Sequence, residues 1–201
     1  MSKLWNRFIK SAGLVALLAL SNSAFSTVLS FDDITGNTGF TNLNGTNYGQ
    51  LNWSSDWYIL HTPTYTPSGY QTGTVSGDYV ALNGFASDVE ISDGLFDFVG
   101  AYFTAAWNDG LQIEITGFLN GSQVNQQTIT VDTSGPTWFN LNFTGIDSLS
   151  FQSFGGVQNN NLNGSGTHFA MDNFTYNVPT PGSLALFALG GLFLVARRRM
   201  S

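Results

Sequence analysis

Between Thr27 and Asn177 the apolar residues follow a period of two in short runs, and no stretch of helical length carries them at a 3.6-residue spacing. The clearest run is Leu111 to Leu119, where Leu111, Ile113 and Ile115 share one face of a predicted strand and Gln112, Glu114 and Thr116 share the other. Asn120-Gly121 follows it directly, a dipeptide suited to a two-residue hairpin because both positions tolerate positive φ. The return strand is predicted over Gln123 to Val131. Asp109-Gly110 reads as a similar turn on the other side, joining the aromatic run Phe96 to Trp107 to the same ladder as a three-stranded meander. Further strands are predicted at Val28 to Ile34, Leu51 to Leu60, Asp78 to Leu82, Asp88 to Ile91, Trp138 to Phe143, Ser148 to Phe154 and Phe169 to Tyr176. So many short strands exceed one flat sheet, and the expected fold is an all-β, two-sheet antiparallel β-sandwich of jelly-roll type over residues 27–177. Two long connections interrupt it: Thr62 to Gly77, carrying Pro63 and Pro67, and the Asn/Gly-rich stretch Gly155 to Thr167.

The two ends follow different rules. Residues 1–26 carry a basic head (Lys3, Arg7, Lys10), an apolar run from Ala12 to Leu20 and a small-residue exit at Ala24-Phe25-Ser26, the three parts of a secretory signal peptide with cleavage expected after Ser26. That run is too short to span a hydrocarbon core of about 30 Å stably. Residues 178–201 place Pro179-Thr180-Pro181 and Gly182 before an apolar segment from Leu184 to Ala196, a predicted short transmembrane helix, and close with Arg197, Arg198 and Arg199, which the positive-inside rule keeps on the cytoplasmic side. The order of proline motif, glycine, apolar run and arginines resembles the PEP-CTERM sorting tail, also called the ice-binding-protein C-terminal domain, of exopolysaccharide-producing Gram-negative bacteria; Pro179-Thr180-Pro181 stands where that family has Pro-Glu-Pro. The resemblance implies an exosortase-type sorting enzyme and the secretion machinery as partners, transient anchorage in the inner membrane, and a mature protein at the cell surface or outside the cell. A tail retained as a plain membrane anchor is the alternative.

Charge sharpens that division. All six Lys and Arg residues lie in the two ends, and all 13 acidic residues lie between Asp32 and Asp172, so the formal −7 is 6 − 13 and the body alone carries −13. With no cation to neutralise phosphate, the body is not expected to bind nucleic acid. Cysteine is absent, which removes disulfides, thiolate metal sites and cysteine nucleophiles together.

Catalytic patterns are missing as well. His61 and His168 have no metal-ligand spacing, there is no Gly-x-Ser-x-Gly elbow or phosphate-binding loop, and Glu90 and Glu114 are the only glutamates available for a carboxyl pair. Carbohydrate binding asks for less: an aromatic ring against the C–H face of a sugar, and amides or carboxylates for its hydroxyls. Trp53, Trp57 and Tyr58 fall in one predicted strand, where Trp53 and Trp57 would share a face about 13 Å apart. Trp107, Asn108 and Asp109 close the predicted hairpin, and Tyr65 and Tyr70 decorate the proline loop. Core packing of these rings is the competing assignment. Phe31-Asp32-Asp33-Ile34 and Met171-Asp172-Asn173-Phe174 resemble, over these short stretches, the terminal strands of jelly-roll carbohydrate-binding modules, and that resemblance implies a structural Ca²⁺ held by Asp33 and Asp172. The alternative is that each Asp is satisfied by backbone N–H groups. The function expected is a noncatalytic surface or matrix protein contacting extracellular polysaccharide. A secreted glycoside hydrolase of the same fold, and a structural matrix protein without a specific ligand, are the alternatives.

Overall fold

The computed structural model describes residues 25–34 and 39–178. The signal segment, the predicted transmembrane helix and the sorting tail, including Pro179, Thr180, Pro181, Arg197, Arg198 and Arg199, fall outside the described residues. Of these segments Phe25, Ser26 and Val178 are among the described residues, and each lies in a strand. Among the described residues no helix is long and apolar enough to cross a membrane.

Ten strands pair antiparallel: β1 (Phe25–Leu29), β2 (Phe40–Asn42), β3 (Asn52–Trp53), β4 (Trp57–His61), β5 (Tyr79–Asn83), β6 (Val89–Ala105), β7 (Asn108–Leu119), β8 (Ser122–Val131), β9 (Thr137–Gln158) and β10 (Phe169–Val178). The hydrogen-bonded order is β2-β4-β5-β10-β6-β9-β7-β8, with β1 also on β10 and β3 also on β6. One four-residue helix, α1 (Gly69–Thr72), lies in the proline-bearing connection.

This ladder is folded over itself. From β4 to β9 there are four strand steps, roughly 19 Å in a flat sheet at about 4.8 Å per step. Yet the Trp57 ring of β4 meets the Phe151 ring of β9 edge-on at 5.4 Å, and Asn83 of β5 donates through Nδ2 to Ser153 Oγ of β9 at 3.0 Å. β4 and β5 therefore face β9 across one core, a sandwich in physical terms. Trp57 is fully buried, lies edge-on to Trp53 at 5.4 Å and Phe169 at 5.9 Å, and donates its indole N–H to the Glu90 carbonyl at 3.1 Å.

The long strands account for the sequence elements that merged. β6 takes in most of the predicted strands at 88–91 and 96–107, leaving out Asp88, Ala106 and Trp107, and β9 takes in those at 138–143 and 148–154. Ser92-Asp93-Gly94 and Gly145-Ile146-Asp147 look like turns, but the pairing steps from Ser92↔Ser148 to Phe96↔Ile146, so three residues of β6 oppose one of β9 in a bulge. Further register shifts come at Asn142 and Gly145, both at positive φ. Bulges bend a strand without ending it, which lets these strands follow the folded sheet.

Three other expectations change. The predicted strand 51–60 is two strands with a turn between them, so Trp53 and Trp57 do not share an alternating face. The predicted strand 28–34 starts earlier and ends at Leu29, because Phe31 takes a left-handed φ of 65°. The hairpin at Asn120-Gly121 forms, with both residues at positive φ and Leu119 opposite Ser122, but the meander does not: β9 inserts between β6 and β7. Asp109 and Gly110 are instead tied to the segment after β8, through Asp109 Oδ1 accepting from Thr133 N–H and Oγ–H and Asp132 Oδ1 accepting from Gly110 N–H.

Beyond the main core, a second apolar cluster forms on the other face of β4, β5 and β10. On β4, Trp57 and Ile59 point into the main core, whereas Leu60, with Tyr58 packed against the cluster, belongs to the second one. Across β5 and β10 the same alternation puts Ala81 and Met171 in the first and Leu82 and Ala170 in the second. Burial on both faces is the reason Trp57-Tyr58-Ile59-Leu60 reads as a continuous apolar run. Because Trp57 is a core ring and not a binding platform, Trp57→Ala is expected to cost about 3–5 kcal/mol in chemical denaturation, whereas Trp138→Ala, at a 37% exposed ring, should stay within about 1 kcal/mol.

Candidate functional site

The second cluster is the floor of an open cleft of about 460 Å³. Several strands and connections build it. β4 supplies Tyr58 and β5 supplies Leu82; α1 supplies Tyr70, and the segment before it Tyr65; the β6–β7 junction supplies Trp107; and the 159–168 connection supplies Gly164, Ser165 and His168. Phe40 on the edge strand β2 and Phe85 in the turn after β5 close the rim.

Backbone hydrogen bonds hold these pieces in register. Gly69 N–H donates to the Ala106 carbonyl at 2.9 Å, Ala106 N–H to the His168 carbonyl at 2.9 Å, and Asn159 N–H to the Trp107 carbonyl at 2.8 Å. Gly164 lies so close to Trp107 that a Cβ there would stand 2.5 Å from the indole carbons, so only glycine lets the loop pack on the ring. Tyr70 meets Trp107 edge-on at 5.4 Å, and Tyr65 meets it at 5.9 Å. Trp107 is thus a wall, only 4% exposed. The rings that offer area to water are Phe85 at 78%, Phe40 at 50% and Tyr65 at 39% exposure.

Phe85 is held there by its backbone. It sits at φ 59°, followed by Ala86 at φ 55°, both left-handed, and its ring stands edge-on to Tyr58 at 6.0 Å. A bulky residue in that region costs on the order of 1–3 kcal/mol and persists only where the surroundings impose it. Here Asn83 imposes it from below: its Nδ2 donates to the Ser87 carbonyl and its Oδ1 accepts from Phe169 N–H.

His168 brings the cleft a defined acceptor. Its Nδ1 lies 3.1 Å from the Asn83 carbonyl, which can only accept, so Nδ1 carries the proton and Nε2 is left as the acceptor. Burial, only partly opposed by that hydrogen bond, holds the imidazole pKa below its usual 6.5 and keeps the ring neutral near pH 7. Burial raises the Tyr70 phenol, as does the neighbouring Tyr65, with the Trp107 indole acting in the opposite direction. No carboxylate lines the cleft.

Of the residues singled out for carbohydrate, the structure brings Tyr58 and Trp107 into this cleft, beside Tyr65 and Tyr70. Trp53 and Trp57 are core residues, 3% and 0% exposed, enclosed by Phe31, Phe151, Phe169 and Phe174 with no face left for a sugar. Asn108 and Asp109 do not line the cleft: Asn108 Nδ2 donates to the Gly155 carbonyl, and the two hydrogen bonds from Thr133 hold the Asp109 carboxyl below its usual range. Phe40, Phe85 and Ser165 escaped the sequence reading, which weighed His168 only for metal and catalytic patterns, although a phenylalanine inside the turn-forming Asn83-Gly84-Phe85-Ala86-Ser87 was a usable signal.

The carboxylates proposed for calcium are engaged by different partners. Asp33 Oδ1 accepts from the Tyr48 hydroxyl at 2.6 Å. Asp172 accepts three backbone N–H groups, from Val75, Ser76 and Asn173, and its acidic neighbour is Asp32, whose carboxylate also takes the Ser76 hydroxyl. Burial pushes the Asp172 carboxyl up to about 6 against those three donors. This arrangement ties the segment after α1 to β10. Among the described residues no three His, Asp or Glu side chains gather where a metal ion could be held.

No family model matches the chain, and no curated protein matches it. Solved structures do resemble it. A DUF4465 family protein from Bacteroides caccae superposes with a TM-score of 0.50 at 10% identity, covering 80% of this chain and 95% of that one, a likeness that shows a shared fold. A second DUF4465 family protein, from Bacteroides ovatus, gives 0.47 at 13% identity, covering 81% and 92%. TmCBM61 in complex with beta-1,4-galactotriose gives 0.36 at 11% identity, covering 70% and 99%, too distant an overlap to bear on this chain's ligand.

Proposed function

We propose that this is an exported, noncatalytic β-sandwich protein that contacts extracellular polysaccharide through the Tyr58–Trp107 cleft. The observation carrying this reading is the cleft itself: partly exposed Phe40, Tyr65 and Phe85 rings at the rim of a concave site of about 460 Å³, with phenol, serine and imidazole groups beside them. Ring faces take the C–H side of a pyranose, and the neutral polar groups take its hydroxyls. A few placed polar groups in an aromatic cavity of roughly 300–1,000 Å³ are the usual makings of a ligand site. Glycosidic hydrolysis needs two carboxyl groups about 5–10 Å apart, and the absence of any Asp or Glu from the lining favours binding over hydrolysis at this cleft. The jelly-roll assignment belongs to the same reading.

Export and surface location rest on the two ends of the sequence: the signal pattern of residues 1–26, and the proline motif, apolar run and arginines of residues 178–201. The secretion machinery and an exosortase-type enzyme are the partners they call for, with the membrane engaged through the tail before processing.

The test is retention on a panel of insoluble and soluble polysaccharides. Tyr65→Ala and Phe85→Ala should each weaken binding about five- to tenfold, the equivalent of roughly 1 kcal/mol of lost ring contact, while Trp138→Ala leaves it unchanged; no retention of the wild type on any glycan would end the proposal. Binding should also be flat around neutral pH and weaken only in acid below the ordinary imidazole range, because burial lowers the His168 pKa and protonation at Nε2 turns its acceptor into a donor. A His168→Gln variant should lose that acid limb.

A further inference from the structure

A smaller cleft of about 190 Å³ adjoins the first, and the two share Tyr65 and Trp107. By volume the smaller one falls below the roughly 300–1,000 Å³ of a self-standing ligand site, so it reads as an extension across a common wall. Its chemistry is different. Thr64, Thr66 and Asn163 line it with hydroxyls and an amide beside Pro67, and its only aromatic rings are the two it shares. Thr64 spends its hydroxyl proton on the His61 carbonyl at 2.6 Å, which leaves oxygen lone pairs to accept. Asn163 is exposed.

Charge narrows the occupant. Neither cleft is lined by Asp, Glu, Lys or Arg, His168 is neutral near pH 7, and the body surrounding them holds 13 carboxylates and no Lys or Arg. An anionic ligand would meet a repulsive field and no counter-charge. Resting on the binding function proposed above, we infer that the two clefts form one site for a neutral glycan chain, at least two pyranoses long, lying across the Tyr65–Trp107 wall. One sugar turns its C–H face to the rings of the larger cleft. Its neighbour in the smaller cleft gives and takes hydroxyl hydrogen bonds with Thr66 and Asn163.

Titration calorimetry of the full-length protein with neutral oligosaccharides of one to five units, beside uronate oligosaccharides of the same lengths, tests this. Affinity should rise at least tenfold between one unit and three, stay nearly constant between 50 and 300 mM salt, and exceed that for the uronates. Asn163→Ala should remove about fivefold of the gain from chain length and leave single-sugar affinity unchanged. Neutral binding that ignores chain length, or an Asn163→Ala variant unaltered for the longer chains, would overturn the two-cleft site while leaving glycan binding intact. Preference for uronates would overturn the neutral ligand. If no oligosaccharide of either kind bound, the binding function itself would fall, and this inference with it.

Discussion

The fold depends on an aromatic wedge. The described domain contains no cysteine and neither Lys nor Arg, so no disulfide and no Lys or Arg ion pair can hold its halves together. Apolar contact across the folded sheet joins them, centred on Trp57, which stands edge-on to Trp53, Phe151 and Phe169. Phe98 extends the same packing, stacked on Phe174 at 4.7 Å and edge-on to Phe143 and Phe151. Edge-to-face pairs of this kind contribute about 0.5–1.5 kcal/mol each beyond the area they bury. In a domain whose net stability is on the order of 5–15 kcal/mol, a few such pairs decide whether the two layers stay closed.

Closing the sheet has a consequence on its outside. Once β4, β5 and β10 turn one face to the main core, the alternation of their side chains sends Tyr58, Leu60, Leu82 and Ala170 to the other face, where they need cover. Helix α1, the β6–β7 junction and the 159–168 connection provide it only in part, and the uncovered margin is the cleft. The site is therefore a product of the same period-two pattern that makes the core, completed by loops whose positions are fixed through backbone hydrogen bonds. Asp172, buried at the start of the irregular part of β10 and bound to three N–H groups of the segment after α1 and its own neighbour, anchors one of those loops.

Much of the fold was legible for a local reason. Leu111 to Val131 declares itself through the alternation of Leu111, Ile113 and Ile115 on one side of Asn120-Gly121 and of Ile129 and Val131 on the other, and neither the alternation nor the turn signal needs tertiary context. The strands that merged were not legible, because a bulge and a turn use the same residues: Gly145 and Asn142 at positive φ look alike in sequence whether the chain reverses or merely bends. The site was half legible. Tyr58 and Trp107 were identifiable as aromatics near loops, but sequence cannot say which of two neighbouring rings, Trp57 or Tyr58, faces the core; the turn at Ser54–Asp56 breaks the register that would have decided it. Phe85 was hidden because its exposure comes from a left-handed backbone set by Asn83, whose partners on Ser87, Ser153 and Phe169 lie up to 86 residues away.

At the centre of this account is the division of the aromatic residues between a core that holds the sheet closed and a cleft that meets a ligand. The tryptophan indole N–H resonances report on it directly during titration with a neutral oligosaccharide. The account predicts that the Trp107 resonance shifts with ligand while those of Trp53 and Trp57 stay in place and remain slow to exchange with solvent. Ligand-dependent shifts at Trp53 and Trp57, with Trp107 unmoved, would contradict it.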